Sequence, residues 1–384
     1  MDAPSPKAGD RIASRFIPLT RQAVISDLCQ DPGRKGDQDA FARLALLLQA
    51  HRNRHYRKLA TEMRQCYLPF SPDRDTVRVL SFSPEEMKVM EGRLSRLVTG
   101  VLNKANYTRL TADDLNEILN GSTPYSLQIE VDLAEYDEIQ VFGREVYYKT
   151  HTVRRPETGY LLKARYDVRF YRRLFVFLKL KSEEDRAKEI AEAQDIDEAK
   201  ALKKVRRNRK QLPEATSAAY IYIKVFKDMP EHDMQILFPL RTVQFRPFDK
   251  IKFAATAGGG TLFGIFTTTG KVLAATNPFA AVGALVGFIG LIARQITTFF
   301  NQRNRYMMEL AQKLFFHNLA NNRAALTLLL DRAEEEDVKE ELIALYILSG
   351  ETVPVAQLPD HKRRIDAMIE ERYDLVVDFE LADA

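Results

Sequence analysis

The sequence predicts an α+β membrane protein, and three features lead there. Helix-period apolar residues fill the first third, period-two stretches rich in β-branched and aromatic residues follow position 124, and uncharged runs occupy 253–270 and 272–293. The chain therefore divides into a helical N-terminal region (1–124), an antiparallel or mixed sheet domain (125–250), a two-helix transmembrane hairpin (251–300) and a C-terminal helical region (301–384).

In the first region, Phe41, Leu44, Ala45, Leu48, Leu59 and Met63 recur near helical spacing, with Arg52, Arg54, Arg57 and Lys58 on the remaining surface. A second helix is expected over 85–102. Ser83 can cap it, Pro84 suits its first turn, and Glu86 stands three residues after Ser83, the spacing of a capping box. Thr111 and Asp114 repeat that spacing for a third helix, which Gly121 should stop.

The segments SLQIEVDL, EIQVFGREVYYKTHTV, YLLKARYDVRFYRRLFVFLKLK and AAYIYIKVF read as strands. Between the last two lies a charged, alanine-rich insertion, 182–215, expected to be a solvated helical or flexible excursion. It ends in Lys203, Lys204, Arg206, Arg207, Arg209 and Lys210, a basic cluster assigned as a contact for anionic lipid headgroups, each cation contributing about 1 kcal/mol at an anionic surface. A solvated charged helix balanced by Glu183, Glu184, Asp185 and Glu189 is an equal reading of the same run, and nucleic acid a less favoured partner. The formal net charge of +4 over 384 residues decides nothing by itself.

At about 1.5 Å per residue, the run 253–270 reaches roughly 27 Å, just enough for a hydrocarbon core of about 30 Å. Asn277 and Pro278 make a cap and first-turn pair for the second span. Arg246, Lys250 and Lys252 precede the hairpin and Arg294, Arg303 and Arg305 close it, whereas its turn carries only Lys271. The positive-inside rule places both termini in the cytoplasm. Gly260 and Gly264 in the first span, and Gly283 and Gly287 in the second, repeat small residues one turn apart, so they are expected to pack helices closely and to favour a homo-oligomer.

A mean hydropathy of -0.30 with 29% charged residues leaves most of the chain to fold in water. Cys29 and Cys66 are too few and too far apart for a disulfide framework, and the first residues lack the apolar run of a secretory signal. Beyond the hairpin, helices are expected at 303–319, 324–333, 338–348 and from His361 onward, and Asp378 reads as the cap of a further one.

Signatures of chemistry are sparse. His51 and His55 share a helix face but bring no third ligand, so no metal is assigned. Gly258 to Gly260 lack the Lys-Ser/Thr pair of a phosphate loop, and no nucleophile elbow or kinase set occurs, so no cofactor is expected and an enzyme is the minority reading.

Several blocks carry a likeness. RFIPLTRQAVISDL, YLPFSPDRDT, YYKTHTVRRPETG and RFYRRLFVFLK precede FKDMPEHDMQILFP, which leads into the hairpin, and RNRYMMELAQKLFFHNLANN follows it. In this order they resemble the transmembrane protein 143-like family, a domain of unknown function. The resemblance implies a two-pass membrane protein and a C-terminal region of partly winged-helix character, but no catalytic residue. The expected role is a membrane-anchored scaffold or binding module with its soluble domains on the cytoplasmic side. The alternatives are a membrane-surface enzyme, or a small oligomeric transport or channel assembly lined by Thr256, Thr261, Thr267, Thr268 and Asn277.

Overall fold

Alternation in the longest strands builds the centre of the protein. In the strand Lys163–Leu180, Phe175 and Phe177 point to one side while Leu174, Val176, Leu178 and Leu180 point to the other, and all six are buried. A strand buried on both faces needs a layer against each. The computed structural model, which describes residues 12–30, 38–73, 80–120, 127–154, 163–210, 212–240, 242–245, 314–348 and 353–381 together with 297, 308 and 312, supplies both layers.

The strands are β1 (Thr108–Arg109), β2 (Leu127–Glu130), β3 (Tyr136–Arg154), β4 (Lys163–Leu180), β5 (Ile221–Pro230), β6 (Thr242–Phe245) and β7 (Asn318–Asn321). Five make an antiparallel sheet in the order β1-β3-β4-β5-β7, and β2 pairs with β6 alone. Helices α1 (Arg21–Gln30), α2 (Gln38–Tyr67), α3 (Pro84–Lys104) and α4 (Ala112–Asn120) precede the long strands. The insertion carries α5 (Glu183–Gln194) and α6 (Glu198–Arg209), and α7 (Asn322–Leu348) and α8 (Leu358–Tyr373) follow β7.

Phe142, Phe175, Phe177, Ile223 and Val225 meet α2, α3 and α7 on one face of the sheet. On the other, Leu174, Val176 and Met229 meet α4 and the 3₁₀ helix Glu231–Leu237. A third cluster joins α1, the start of α2, the C-terminal half of α7 and α8 around Phe41, Leu342, Ile365 and Phe379. Chain ends far apart in sequence thus share one core.

Both predicted N-caps form. Ser83 accepts from the Glu86 amide at 3.2 Å while Glu86 accepts from the Ser83 amide at 2.8 Å, and Thr111 and Asp114 make the same reciprocal pair. Such a cap contributes about 1 kcal/mol. The insertion is a helical hairpin with a small core of its own, Ala187, Ile190, Ala201 and Val205.

Three expectations for the C-terminal region need correction. The segment 318–321 is not a helix end but strand β7, pairing with β5 where the Asn322 side chain accepts from the Ile223 amide at 3.1 Å. The helices expected at 324–333 and 338–348 are one continuous α7. Among the described residues Asp378 begins no helix: its amide donates to the Ser14 carbonyl at 3.0 Å and its carboxylate pairs with Lys362 at 2.7 Å. Among the described residues no helix is long and apolar enough to cross a membrane. The hairpin expected at 251–300, with Gly260, Gly264, Gly283 and Gly287, lies outside the described residues except for residue 297.

Candidate functional site

Helix α7 carries the run Glu334 to Glu341 through the middle of the protein, and several of its charges are buried. Lys339 is 0% exposed; its Nζ lies 2.6 Å from Glu336 Oε1 and donates to the carbonyls of Ile17 and Leu19 at 2.6 and 2.9 Å. Glu336 in turn accepts from the Ile17 amide at 3.2 Å. The irregular segment before α1 has no ladder of its own, so this ion pair satisfies its backbone groups in place of water. Burial pushes the Glu336 carboxyl up, against the pull of Lys339 and Arg144.

One turn further along α7, Glu340 is only 4% exposed and accepts from Asn106 Nδ2 at 2.7 Å. Burial, reinforced by Glu336 and Asp337 and opposed by the Asn106 bond, pushes its carboxyl up to about 8. Asp337 accepts from the Tyr56 hydroxyl at 2.7 Å, and Arg52 reaches Asp337 at 3.7 Å and also pairs with Glu341.

Beside this cluster opens a cavity of about 610 Å³. Its floor is the middle of β3 and β4, and its walls are the segments 12–18 and 374–378, which meet in a parallel bridge between Ser14 and Val377. Arg144 on β3 lines it at 4% exposure, its guanidinium 3.8 Å from the Phe16 ring centre and 5.1 Å from that of Tyr107. Arg144 Nη1 donates to the Ala105 carbonyl at 3.3 Å, whereas Nε is buried without a hydrogen-bond partner among the described residues. Burial lowers the arginine's affinity for its proton, and the neighbouring carboxylates Glu336 and Glu145 oppose that.

The floor depends on Gly143. A Cβ there would sit 2.7 Å from Tyr171 Cε1 and closer still to Cδ1, so only glycine lets the buried Tyr171 ring lie flat against the strand. Glu145 next to Arg144 has φ 53°, a left-handed conformation that bulky residues rarely adopt. Arg172 pairs with Glu145 at 3.4 Å and Arg169 with Glu231 at 3.2 Å.

The predicted basic residues lie elsewhere, on α6. Lys203, Arg206, Arg207 and Lys210 are exposed, with Ala199 and Leu202, along one outward groove of about 320 Å³, and Arg206 also pairs with Glu183 at 2.9 Å. Lys204 donates to Gln194 at 3.0 Å. Arg209 is turned inward to the Glu135 carboxylate at 3.0 Å and the Lys181 carbonyl at 2.9 Å, so it ties the insertion to the sheet. His51 and His55 are exposed on α2, and no group of three metal-ligating side chains gathers among the described residues.

Sequence reading passed over Arg144. Within FGREV it looks like an outward-facing strand charge, but Phe16, Ala105 and Tyr107, all distant in sequence, gather around it. Residues 171–324, from β4 to the start of α7, match a family described as a protein of unknown function, DUF3754. The floor of the cavity at Tyr171 and Arg172 falls inside that match, and Arg144 precedes it. No solved structure matches the chain.

Proposed function

We propose that this protein is a two-pass, membrane-anchored binding module of the transmembrane protein 143-like kind, with its folded body on the cytoplasmic side of a bacterial inner or organellar membrane. What supports the anchor most is how the described residues on either side of the uncharged runs are placed. β6 precedes the runs, and after them Leu314 packs against the same apolar cluster that holds Leu240, just before β7 joins the main sheet. A segment that starts and finishes on one body crosses a bilayer an even number of times, and the uncharged runs 253–270 and 272–293 have the length for two crossings.

The return path adds apolar surface. Phe315 and Phe316 are 78% and 68% exposed, next to exposed Leu319, and exposed aromatic rings beside a span suit the headgroup layer. The groove on α6 gives the same body a cationic face for anionic headgroups. Gly260, Gly264, Gly283 and Gly287 would pack the hairpins of two copies, making a homo-oligomer.

The test is fractionation of the full chain after an alkaline carbonate wash, which strips peripheral proteins but leaves spanning ones. The protein should stay in the pellet, and deleting 253–300 should release it. Recovery of the intact chain in the wash would refute the anchor.

A further inference from the structure

We propose that the cavity beside Arg144 binds an amphiphilic organic acid, its carboxylate or phosphate group on the Arg144 guanidinium and its aliphatic body along the cavity wall. The proposal rests on the binding-module half of the reading above and not on the anchor.

The argument starts from the charge balance. The cavity is lined by Arg15, Arg144, Arg169 and Arg172, and by Glu145, Asp374 and Asp378. Arg15, Arg169 and Arg172 each reach a carboxylate: Glu380 at 2.7 Å, Glu231 at 3.2 Å and Glu145 at 3.4 Å. Asp378 is neutralised by Lys362, and Asp374 closes α8 with its amide on the Glu370 carbonyl. Arg144, the most buried of these arginines, forms no ion pair among the described residues. Glu336 and Glu145 lie near it without direct contact, and a buried guanidinium with no carboxylate in contact is costly, a cost that an incoming anion reduces.

Geometry selects where the anion would sit. Aromatic rings lie against the guanidinium at Phe16 and Tyr107, which leaves its in-plane N–H groups as the donors. Nη1 is taken by Ala105 and Nε is enclosed without a partner, which leaves the Nη2 edge for an incoming anion. A carboxylate or phosphate oxygen accepts along that edge, with a geometry that an ammonium group does not reproduce.

The body of the ligand follows from the remaining lining. Ile12, Pro18, Leu110, Val146, Leu375 and Val376 give the cavity an aliphatic side, and about 610 Å³ lies within the range that holds a whole small organic molecule. Inorganic phosphate would fill little of it.

The chain contains no tryptophan, so Ile12→Trp at the cavity wall provides a single fluorescent reporter. The full chain is used in nanodiscs, or in buffer if the carbonate wash leaves it soluble. It is titrated with octanoate, octyl phosphate, octanol and inorganic phosphate, reading fluorescence and the thermal midpoint. Octanoate or octyl phosphate should saturate the signal and raise the midpoint, at least tenfold more tightly than octanol or inorganic phosphate. Arg144→Lys should weaken binding at least tenfold. Should that variant fail to fold, Val146→Phe, which fills the cavity from a half-buried wall position and leaves Arg144 in place, should abolish binding.

Oleate supplied in the bilayer that displaces octanoate would assign the ligand to the membrane; octanoate binding that oleate leaves intact would assign it to the aqueous pool. No saturable response to either organic anion, or octanol binding as tightly as octanoate, overturns the proposal. Anion binding by a chain that the wash releases would sink the anchor alone, and a resistant chain without anion binding would sink this site alone.

Discussion

Replacing Glu340 by Gln should make the protein more stable, by a margin that grows as pH rises from about 4.5 to about 8. The carboxyl is buried on α7 against Asn106, with Glu336 and Asp337 close by, and its pKa is raised to about 8 from an ordinary 4.5. The folded state therefore binds this proton more tightly than the unfolded state. Its contribution to stability is complete below about 4.5, declines as pH rises through the window between 4.5 and 8, and becomes a fixed penalty above it. At about 1.4 kcal/mol per pH unit, the span of that window corresponds to a penalty of roughly 5 kcal/mol. Glutamine keeps the carbonyl oxygen that accepts from Asn106 Nδ2 at 2.7 Å and has no proton to lose. Urea unfolding followed by circular dichroism, at pH values from 5 to 9, should show parent and variant converging at the acid end. The variant should pull ahead steadily toward pH 8. A difference between the two proteins that does not change with pH would refute the argument that burial holds Glu340 neutral.

Three further outcomes follow from the same structure. Lys339→Met leaves Glu336 and the Ile17 and Leu19 carbonyls without their cation and should cost about 3–5 kcal/mol, with faster tryptic cleavage after Arg15; Glu336→Gln in the same chain should recover part of the loss. Gly143→Ala drives a methyl into the Tyr171 ring and should lower stability by about 1–3 kcal/mol in thermal melts, whereas Gly100→Ala on α3, where a Cβ meets nothing, should not. With Cys29→Ser removing the partly exposed native thiol, a polarity-sensitive dye on Asn208→Cys should shift to the blue in anionic but not zwitterionic bilayers; changing Lys203, Arg206, Arg207 and Lys210 to Gln, or adding molar salt, should abolish the shift.

What could be read without coordinates was local. Ser83 with Glu86 and Thr111 with Asp114 announce helix starts because a cap needs only residues three apart. Strands β3, β4 and β5 announce themselves because alternation is written along one segment. The continuity of α7 is hidden because the acidic residues Glu334 to Asp337 separate the two apolar stretches 324–333 and 338–348. Those charges turn inward to partners such as Ile17 and Tyr56, which lie hundreds of positions away and leave no trace in the local pattern. Strand β7 was hidden for a related reason: FFHNLANN has no clean alternation, and its strand conformation comes from the free edge of β5.

The cavity and the buried charges on α7 share one short piece of chain, and that bears on how binding would be felt. Phe16 lies on Arg144 at 3.8 Å and also has Lys339 Nζ 4.9 Å from its ring centre, while the next residue, Ile17, is held by Glu336 and Lys339. On the other side of Phe16, Ser14 meets Val377 and Arg15 meets Glu380. Segment 14–19 is therefore wall to the cavity and lid to the buried ion pair at once. An anion on Arg144 would stabilise the arrangement that keeps Phe16 in place, and by linkage whatever loosens the segment must weaken the anion. Lys339 is linked to the cavity lining through Phe16 and the backbone beside it. A loss of anion affinity in Lys339→Met, with the sheet still folded, would therefore mark the segment itself as the coupling element.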